Sequence, residues 1–125
     1  MIHFNPLWFI PVFQGIAFGV CAMLLHEAGH LGVALCLGVR IRRVGLDWKG
    51  VYVVREAGPL WKNLLVSCAG PCINLLLSLF LYQYEGFGIA NLCFGLVNLL
   101  PIEGSDGARI LRYLKMTGED ASPQD

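Results

Sequence analysis

The sequence predicts an all-α integral membrane fold, in which three transmembrane helices form the core and a small membrane-surface β-hairpin lies between helices 1 and 2. Hydrophobic residues make up 56% of the 125 positions and charged residues only 14%, whereas about a quarter of the residues in a soluble domain are charged. Between Met1 and Val39 the only Asp, Glu, Lys or Arg is Glu27. The first third of the chain is therefore suited to lipid rather than to water.

Three apolar segments supply the predicted spans, and they cover residues 11–39, 60–84 and 87–100. Crossing about 30 Å of hydrocarbon takes about 20 helical residues. The first two segments are long enough, and the third needs a continuation through the irregular stretch that follows it.

The loop between the first two spans, residues 40–62, predicts the β-hairpin. Apolar and polar side chains alternate around residues 51–54, and Lys49 and Gly50 before them are typical of a turn. The second and third spans are joined by residues 85–88, whose two glycines predict a tight turn and therefore antiparallel helices.

The basic residues predict the orientation. All nine lie either in residues 40–62 or after residue 108, and three spans place both regions on one side of the membrane. By the positive-inside tendency this side is cytoplasmic, so the N-terminus faces outward. We expect residues 1–115 to form the transmembrane core and residues 116–125 to form a disordered polar tail.

A metal-binding pattern lies within the first predicted span, where His26, Glu27 and His30 form H-E-x-x-H. A helix places the two imidazoles one turn apart on one face, so that both can bind one zinc ion. The glutamate between them can then take a proton from a water whose pKa the metal lowers, and pass it to the leaving amine of a peptide.

The same pattern occurs by chance in soluble helices, where its members are ordinary surface residues. Here Glu27, His26 and His30 lie inside an otherwise uncharged membrane segment, in which each ionisable group is costly unless it is paired, coordinated or hydrated. A metal site removes that cost, so the sequence favours a metal centre over a chance match.

A catalytic zinc ion needs a third protein ligand and an open fourth position. Val33 and Cys36 stand where the metzincin pattern continues with Gly and His, so the third ligand must come from elsewhere. We favour Asp106, because a Pro and two Gly interrupt the chain around it, and irregular backbone at membrane depth is tolerated only where it lines protein or a hydrated cavity. A straight helix would leave Asp106 too shallow to meet the histidines, so residues 101–107 must carry it deeper. The other candidates are Asp47, Glu56, Glu85, Glu103 and the cysteines.

Three motifs occur in order along the chain: H-E-A-G-H from His26, A-G-P-x2-N from Ala69 to Asn74, and N-L-L-P-x4-D-G-A-R from Asn98 to Arg109. Together they resemble the site-2 protease family of intramembrane zinc metallopeptidases. The resemblance implies one zinc ion per chain, held by His26, His30 and Asp106, with Glu27 as the catalytic residue. It also implies that Asn74 positions substrate or polarises its carbonyl, although a hydrogen bond between helices is an equal alternative.

The resemblance implies a zinc metalloendopeptidase that hydrolyses peptide bonds within or near transmembrane segments, as in regulated intramembrane proteolysis. Its expected partners are a transmembrane protein substrate and the lipid bilayer, and no nucleic acid. Either a homo-oligomer or an accessory membrane protein supplies control, or the core acts alone on substrates already trimmed by another protease. The shortness of the chain favours a bacterial cytoplasmic membrane. One alternative is a non-catalytic zinc-binding membrane protein that acts as an assembly or regulatory partner, and another is a soluble zinc peptidase.

Overall fold

Helices and a hairpin follow one another along the chain in a computed structural model that describes residues 7, 9–48 and 50–120, except for the side chains of residues 119 and 120. The order of the elements is α1 (Phe9–Cys36), β1 (Ile41–Asp47), β2 (Gly50–Arg55), α2 (Leu60–Phe80), α3 (Glu85–Leu99) and α4 (Asp106–Asp120). The mostly helical fold that the sequence predicts is confirmed.

Two of these helices, α1 and α2, are long and apolar enough to cross a membrane. Many of their large apolar side chains are exposed, including Phe13 and Leu35 of α1 and Leu79 of α2. A helix in the core of a soluble protein would bury such side chains. The third apolar helix, α3, has 15 residues, which span only about 22 Å.

The hairpin is confirmed as an antiparallel pair in which Val44 of β1 faces Val53 of β2. Gly50 begins β2 with a φ of 123°, a conformation that glycine adopts without strain, while Lys49 lies outside the described residues. A Cβ atom on Gly50 would lie 2.6 Å from the Met23 sulfur of α1. The turn end of the hairpin therefore packs closely against the middle of α1.

The connection between α2 and α3 differs from the predicted turn at residues 85–88, which is wrong in position. The chain turns at residues 81–84, and Glu85 already begins α3. The two glycines serve close packing instead of a turn conformation. A Cβ on Gly86 would lie 2.7 Å from the Phe18 ring, and a Cβ on Gly88 would lie 3.2 Å from the Leu81 carbonyl oxygen.

The predicted tail is also corrected, because α4 continues to Asp120 and residues 116–120 are helical. The helix is amphipathic, with Ile110, Leu111 and Leu114 on one face, and the Thr117 hydroxyl donates to the Tyr113 carbonyl. The helix thus continues beyond Lys115, the last basic residue. Residues 121–125 lie outside the described residues.

The centre of the fold is polar rather than apolar. Among the described residues, the buried hydrophobic ones are small, namely Ala22, Ala34, Val39 and Val66, whereas the buried polar ones are His26, His30, Ser67, Asn74, Asn91 and Asp106. Helices α1 and α2 approach closely here, since a Cβ on Gly29 would lie 2.9 Å from the Ala69 carbonyl oxygen. Buried polar side chains need partners, and they find them in one another.

Candidate metal centre

His26 and His30 lie one turn apart on the buried face of α1, with ring centroids 4.7 Å apart. The Nδ1 atom of His26 is 2.8 Å from Oδ1 of Asn74, and that of His30 is 2.6 Å from the Val66 carbonyl oxygen. A carbonyl oxygen only accepts hydrogen bonds, so each Nδ1 carries the proton. In a neutral imidazole the Nε2 atom then presents a lone pair.

Asp106 meets both lone pairs. Its Oδ2 atom lies 2.8 Å from Nε2 of His26 and 3.1 Å from Nε2 of His30, while the two Nε2 atoms are 3.1 Å apart. The aspartate comes from the far end of the sequence, 80 positions after His26. The structure therefore brings together the three residues that the sequence predicts as ligands.

The interrupted stretch before α4 carries Asp106 to this position. Leu100 is extended, as expected for a residue that precedes proline, and Gly104 turns the chain with a φ of 88°. Ser105 then caps α4, because its hydroxyl accepts the Ala108 N–H at 3.1 Å. The required deep placement of Asp106 is thus achieved without a continuous helix.

These three residues fit a zinc ion by the chemistry of their donor atoms. With both rings neutral, two lone pairs and a carboxylate oxygen converge, and only a cation between them offsets their mutual repulsion. In a tetrahedral site with bonds of about 2.0–2.1 Å, neighbouring donor atoms lie about 3.3 Å apart. The observed separations of 2.8–3.1 Å require only a small expansion.

Gly70 of α2 closes one side of the centre. A Cβ atom there would contact Nε2 of His30 and would lie 2.6 Å from Cε1 of His30 and 2.8 Å from Cε1 of His26. Pro71, which follows it, has no N–H and so removes one hydrogen bond from this part of α2. The backbone of α2 therefore lies directly against both imidazole rings.

Glu27 faces a cavity of about 270 Å³ that opens beside the centre. His26, Glu27 and His30 also form a group whose possible ligand atoms all lie within 4.8 Å of one another. Asp106 is the better third ligand on geometry, since its oxygen is within hydrogen-bonding distance of both rings. Glu27, to which none of the described residues donates a hydrogen bond, is placed to face water or substrate.

Comparisons with known proteins find relatives in sequence and in fold. The chain is 32% identical over 135 aligned positions to stage IV sporulation protein FB of Bacillus subtilis, an alignment that covers 90% of the chain and 47% of the relative. It is 30% identical to a zinc metalloprotease of Methanocaldococcus jannaschii, over 77% of the chain and 35% of the relative. The solved structure of the site-2 protease from Methanocaldococcus jannaschii superposes with a TM-score of 0.69 and 27% identity, covering 81% of the chain and 53% of that structure. The chain belongs to the site-2 protease family.

The match to the site-2 protease family covers most of this chain but a smaller part of its relatives. The chain spans 47% and 35% of the lengths of the two curated relatives. No family model matches the chain.

Asn74, the predicted substrate-binding residue in this site-2 protease family member, does not line the cavity. It is 0% exposed, and its amide nitrogen donates to the Ala22 carbonyl and to Oδ1 of Asn91. With Oδ1 facing His26, both ends of the amide are occupied. Of the two roles that the sequence left open, this geometry matches the hydrogen bond between helices.

The cavity lining also includes Asn98, Arg55 and Arg109, to which the sequence analysis assigned no role in the site. Asn98 begins the third site-2 protease motif and donates to the Phe94 carbonyl. Arg55 donates to the Ser67 hydroxyl at 3.3 Å, and Arg109 lies 3.5 Å from Oδ1 of Asp106. The motif could have pointed to Asn98 as a site residue, whereas the position of Arg55 depends on how the hairpin folds back.

Proposed function

We propose that this chain is an intramembrane zinc metalloprotease that hydrolyses peptide bonds within or near transmembrane segments of other proteins. One observation carries the proposal, namely the convergence of His26, His30 and Asp106 next to a cavity that Glu27 faces. Three ligands of this type leave a fourth position open, as catalytic zinc sites require. We further propose that each chain holds one zinc ion.

The roles of the protein side chains follow from their positions. A zinc ion held by these three residues would lower the pKa of water and polarise the substrate carbonyl. Glu27 accepts the proton that water loses as its oxygen bonds to the carbonyl carbon, and donates it to the nitrogen as the C–N bond breaks. Arg109 holds Oδ1 of Asp106, which leaves Oδ2 directed at the histidines. Asn98 contributes the side-chain amide on the cavity wall.

The membrane placement is part of the proposal. The exposed apolar surfaces of α1 and α2 face lipid, and α3 together with residues 100–105 completes a third crossing. The basic side then faces the cytoplasm and the N-terminus faces outward. Alkaline extraction without detergent releases a soluble peptidase but not an integral membrane protein. Release of this chain under those conditions would refute the membrane placement.

A substrate segment must be extended at the cleaved bond, and we propose that β2 holds it by adding a strand. In a two-stranded sheet each strand has one unpaired edge, and Gly50, Val51 and Val53 of β2 line the cavity. Replacing Val51 or Val53 with proline should impair cleavage while zinc content is kept. Unchanged cleavage by both variants would refute the strand mechanism alone.

The test of the proposed function compares the purified full chain in proteoliposomes with two variants, using a panel of membrane-segment substrates. Glu27→Gln keeps the shape of the side chain and should retain zinc while cleavage falls by at least about a hundredfold. Asp106→Ala should lose zinc and cleavage together. Equal cleavage by the wild type and Glu27→Gln would refute the assigned mechanism. Bound zinc without cleavage in the wild type would instead favour the non-catalytic zinc-binding protein.

Control of the reaction is proposed to come from self-association or from an accessory membrane protein. The cavity beside the centre is partly open, and the hairpin forms one of its walls. Cross-linking of the chain in native membranes would identify which of the two is present, and a monomer without a partner would refute both.

A further inference from the structure

Two asparagines form a continuous hydrogen-bonded chain that ends at His26. Asn91 of α3 donates to the Phe87 carbonyl at 3.0 Å, and its Oδ1 atom accepts from Asn74 Nδ2 at 2.8 Å. Asn74 of α2 also donates to the Ala22 carbonyl of α1 at 2.9 Å, and its Oδ1 atom lies 2.8 Å from Nδ1 of His26. Both asparagines are 0% exposed.

The direction of this chain is fixed by its two backbone ends. The Phe87 carbonyl only accepts, so the amide nitrogen of Asn91 must face it and Oδ1 must face Asn74. The Ala22 carbonyl likewise requires the amide nitrogen of Asn74, so Oδ1 of Asn74 must face His26. Reversing either amide would oppose two acceptors in a buried site, which is costly.

We propose that Asn91 and Asn74 are positioning residues that fix the ring orientation of His26 and hold the proton on its Nδ1 atom. This inference rests on the proposed function, in which Nε2 of His26 is a metal ligand. The arrangement is asymmetric, because His30 is oriented by the backbone carbonyl of Val66 whereas His26 depends on side chains. Partners of this kind typically change metal affinity by about 10- to 100-fold when they are removed.

The two asparagines should differ in the size of their effects. Replacing Asn74 with leucine removes the acceptor that faces His26, so the full effect of about 10- to 100-fold is expected on zinc affinity. Replacing Asn91 with leucine leaves the Ala22 carbonyl to hold the Asn74 amide, so a loss of about three- to tenfold is expected. A role in helix packing alone would predict loss of stability in both variants without a change at His26.

The experiment measures the His26 ring directly in the metal-free, detergent-purified full chain. Nitrogen NMR of 15N-histidine-labelled protein distinguishes protonated from unprotonated ring nitrogens, and a His3→Gln background leaves only His26 and His30 labelled. The variants are Asn74→Leu, Asn91→Leu and Asn74→Asp, the last of which keeps an acceptor for His26. Ser78→Ala is the matched control on α2, because the Ser78 hydroxyl donates only to the Leu75 carbonyl of its own helix.

We expect the wild type and Asn74→Asp to carry a proton on Nδ1 of His26, and Asn74→Leu to show a mixture of rings with and without a proton on Nδ1. Zinc affinity, measured by competition with a chelator, should fall in the order wild type, Asn91→Leu, Asn74→Leu, with Ser78→Ala unchanged. Folded Asn74→Leu protein with a wild-type His26 spectrum and zinc affinity would overturn the inference. That result would leave the proposed function intact. Conversely, a wild-type protein that binds no zinc but shows the expected His26 spectrum would refute the proposed function and support the role of the two asparagines.

Discussion

Gly70 is the position at which a single methyl group should strongly weaken metal binding. The Cβ atom of alanine there would lie 2.6 Å from Cε1 of His30 and 2.8 Å from Cε1 of His26, whereas ordinary contacts begin at 3.4 Å. The two rings would have to retreat by at least about 0.8 and 0.6 Å. Zinc ligands tolerate displacements of only about 0.2 Å.

Neither ring can retreat freely, because Nδ1 of His26 is held by Asn74 and Nδ1 of His30 by the Val66 carbonyl. Separation of α2 from α1 would lengthen these same bonds. We therefore expect Gly70→Ala to lower zinc affinity by more than about a hundredfold, the upper end of what loss of ligand orientation causes. The free energy of unfolding should fall by about 1–3 kcal/mol from overpacking.

The assay is competition for zinc between the detergent-purified protein and a chelator, together with thermal unfolding. Gly32→Ala is the matched control, since Gly32 lies on α1 two residues after His30 and a Cβ there meets nothing within 4 Å. The control should bind zinc normally and unfold at the same or a slightly higher temperature. A folded Gly70→Ala protein whose zinc affinity stays within about threefold of the wild type would refute the close approach of α2 to the rings.

Three further predictions concern the support of the centre. Gly107→Ala should weaken zinc binding by at least about tenfold, because its Cβ would lie 2.7 Å from the Leu100 carbonyl oxygen and would push α4 and Asp106 away. Gly118→Ala is the control, since a Cβ there lies in open space. Equal zinc affinities of the two variants would contradict this account. Arg109→Gln should lower zinc affinity by no more than about fivefold, since the arginine is half exposed and exposed ion pairs contribute up to about 1 kcal/mol. A larger loss in the same competition assay would show that Arg109 does more than hold Oδ1 of Asp106. In the wild type, adding a chelator to protein that was saturated with zinc at a thousand times its Kd should lower the free energy of unfolding by roughly 4 kcal/mol. Thermal unfolding of Asp106→Ala should show no response to the chelator.

The sequence determined those features that depend on local pattern. Long apolar runs predict α1 and α2, the alternation at residues 51–54 predicts the hairpin, and the spacing of His26 and His30 places both imidazoles on one helix face. The position of a turn is weaker information. Glycines at 86 and 88 looked like turn residues because glycine has two uses. Here Gly86 allows close contact with Phe18 of α1, and Gly88 allows close contact with the connection at Leu81 and Tyr82.

Tertiary structure decided the contacts that complete the centre, because these depend on how separate helices pack. Asp106 reaches the histidines only because Leu100 and Gly104 redirect the chain, and no local pattern gives the depth at which it arrives. Asn91, a polar residue within an apolar helix, could have been suspected of a buried role, but its link to His26 runs through Asn74 on another helix. A sequence specifies the ligand types and their spacing within one helix, whereas the partner atoms that fix a ring and its proton come from three helices and exist only once these have packed.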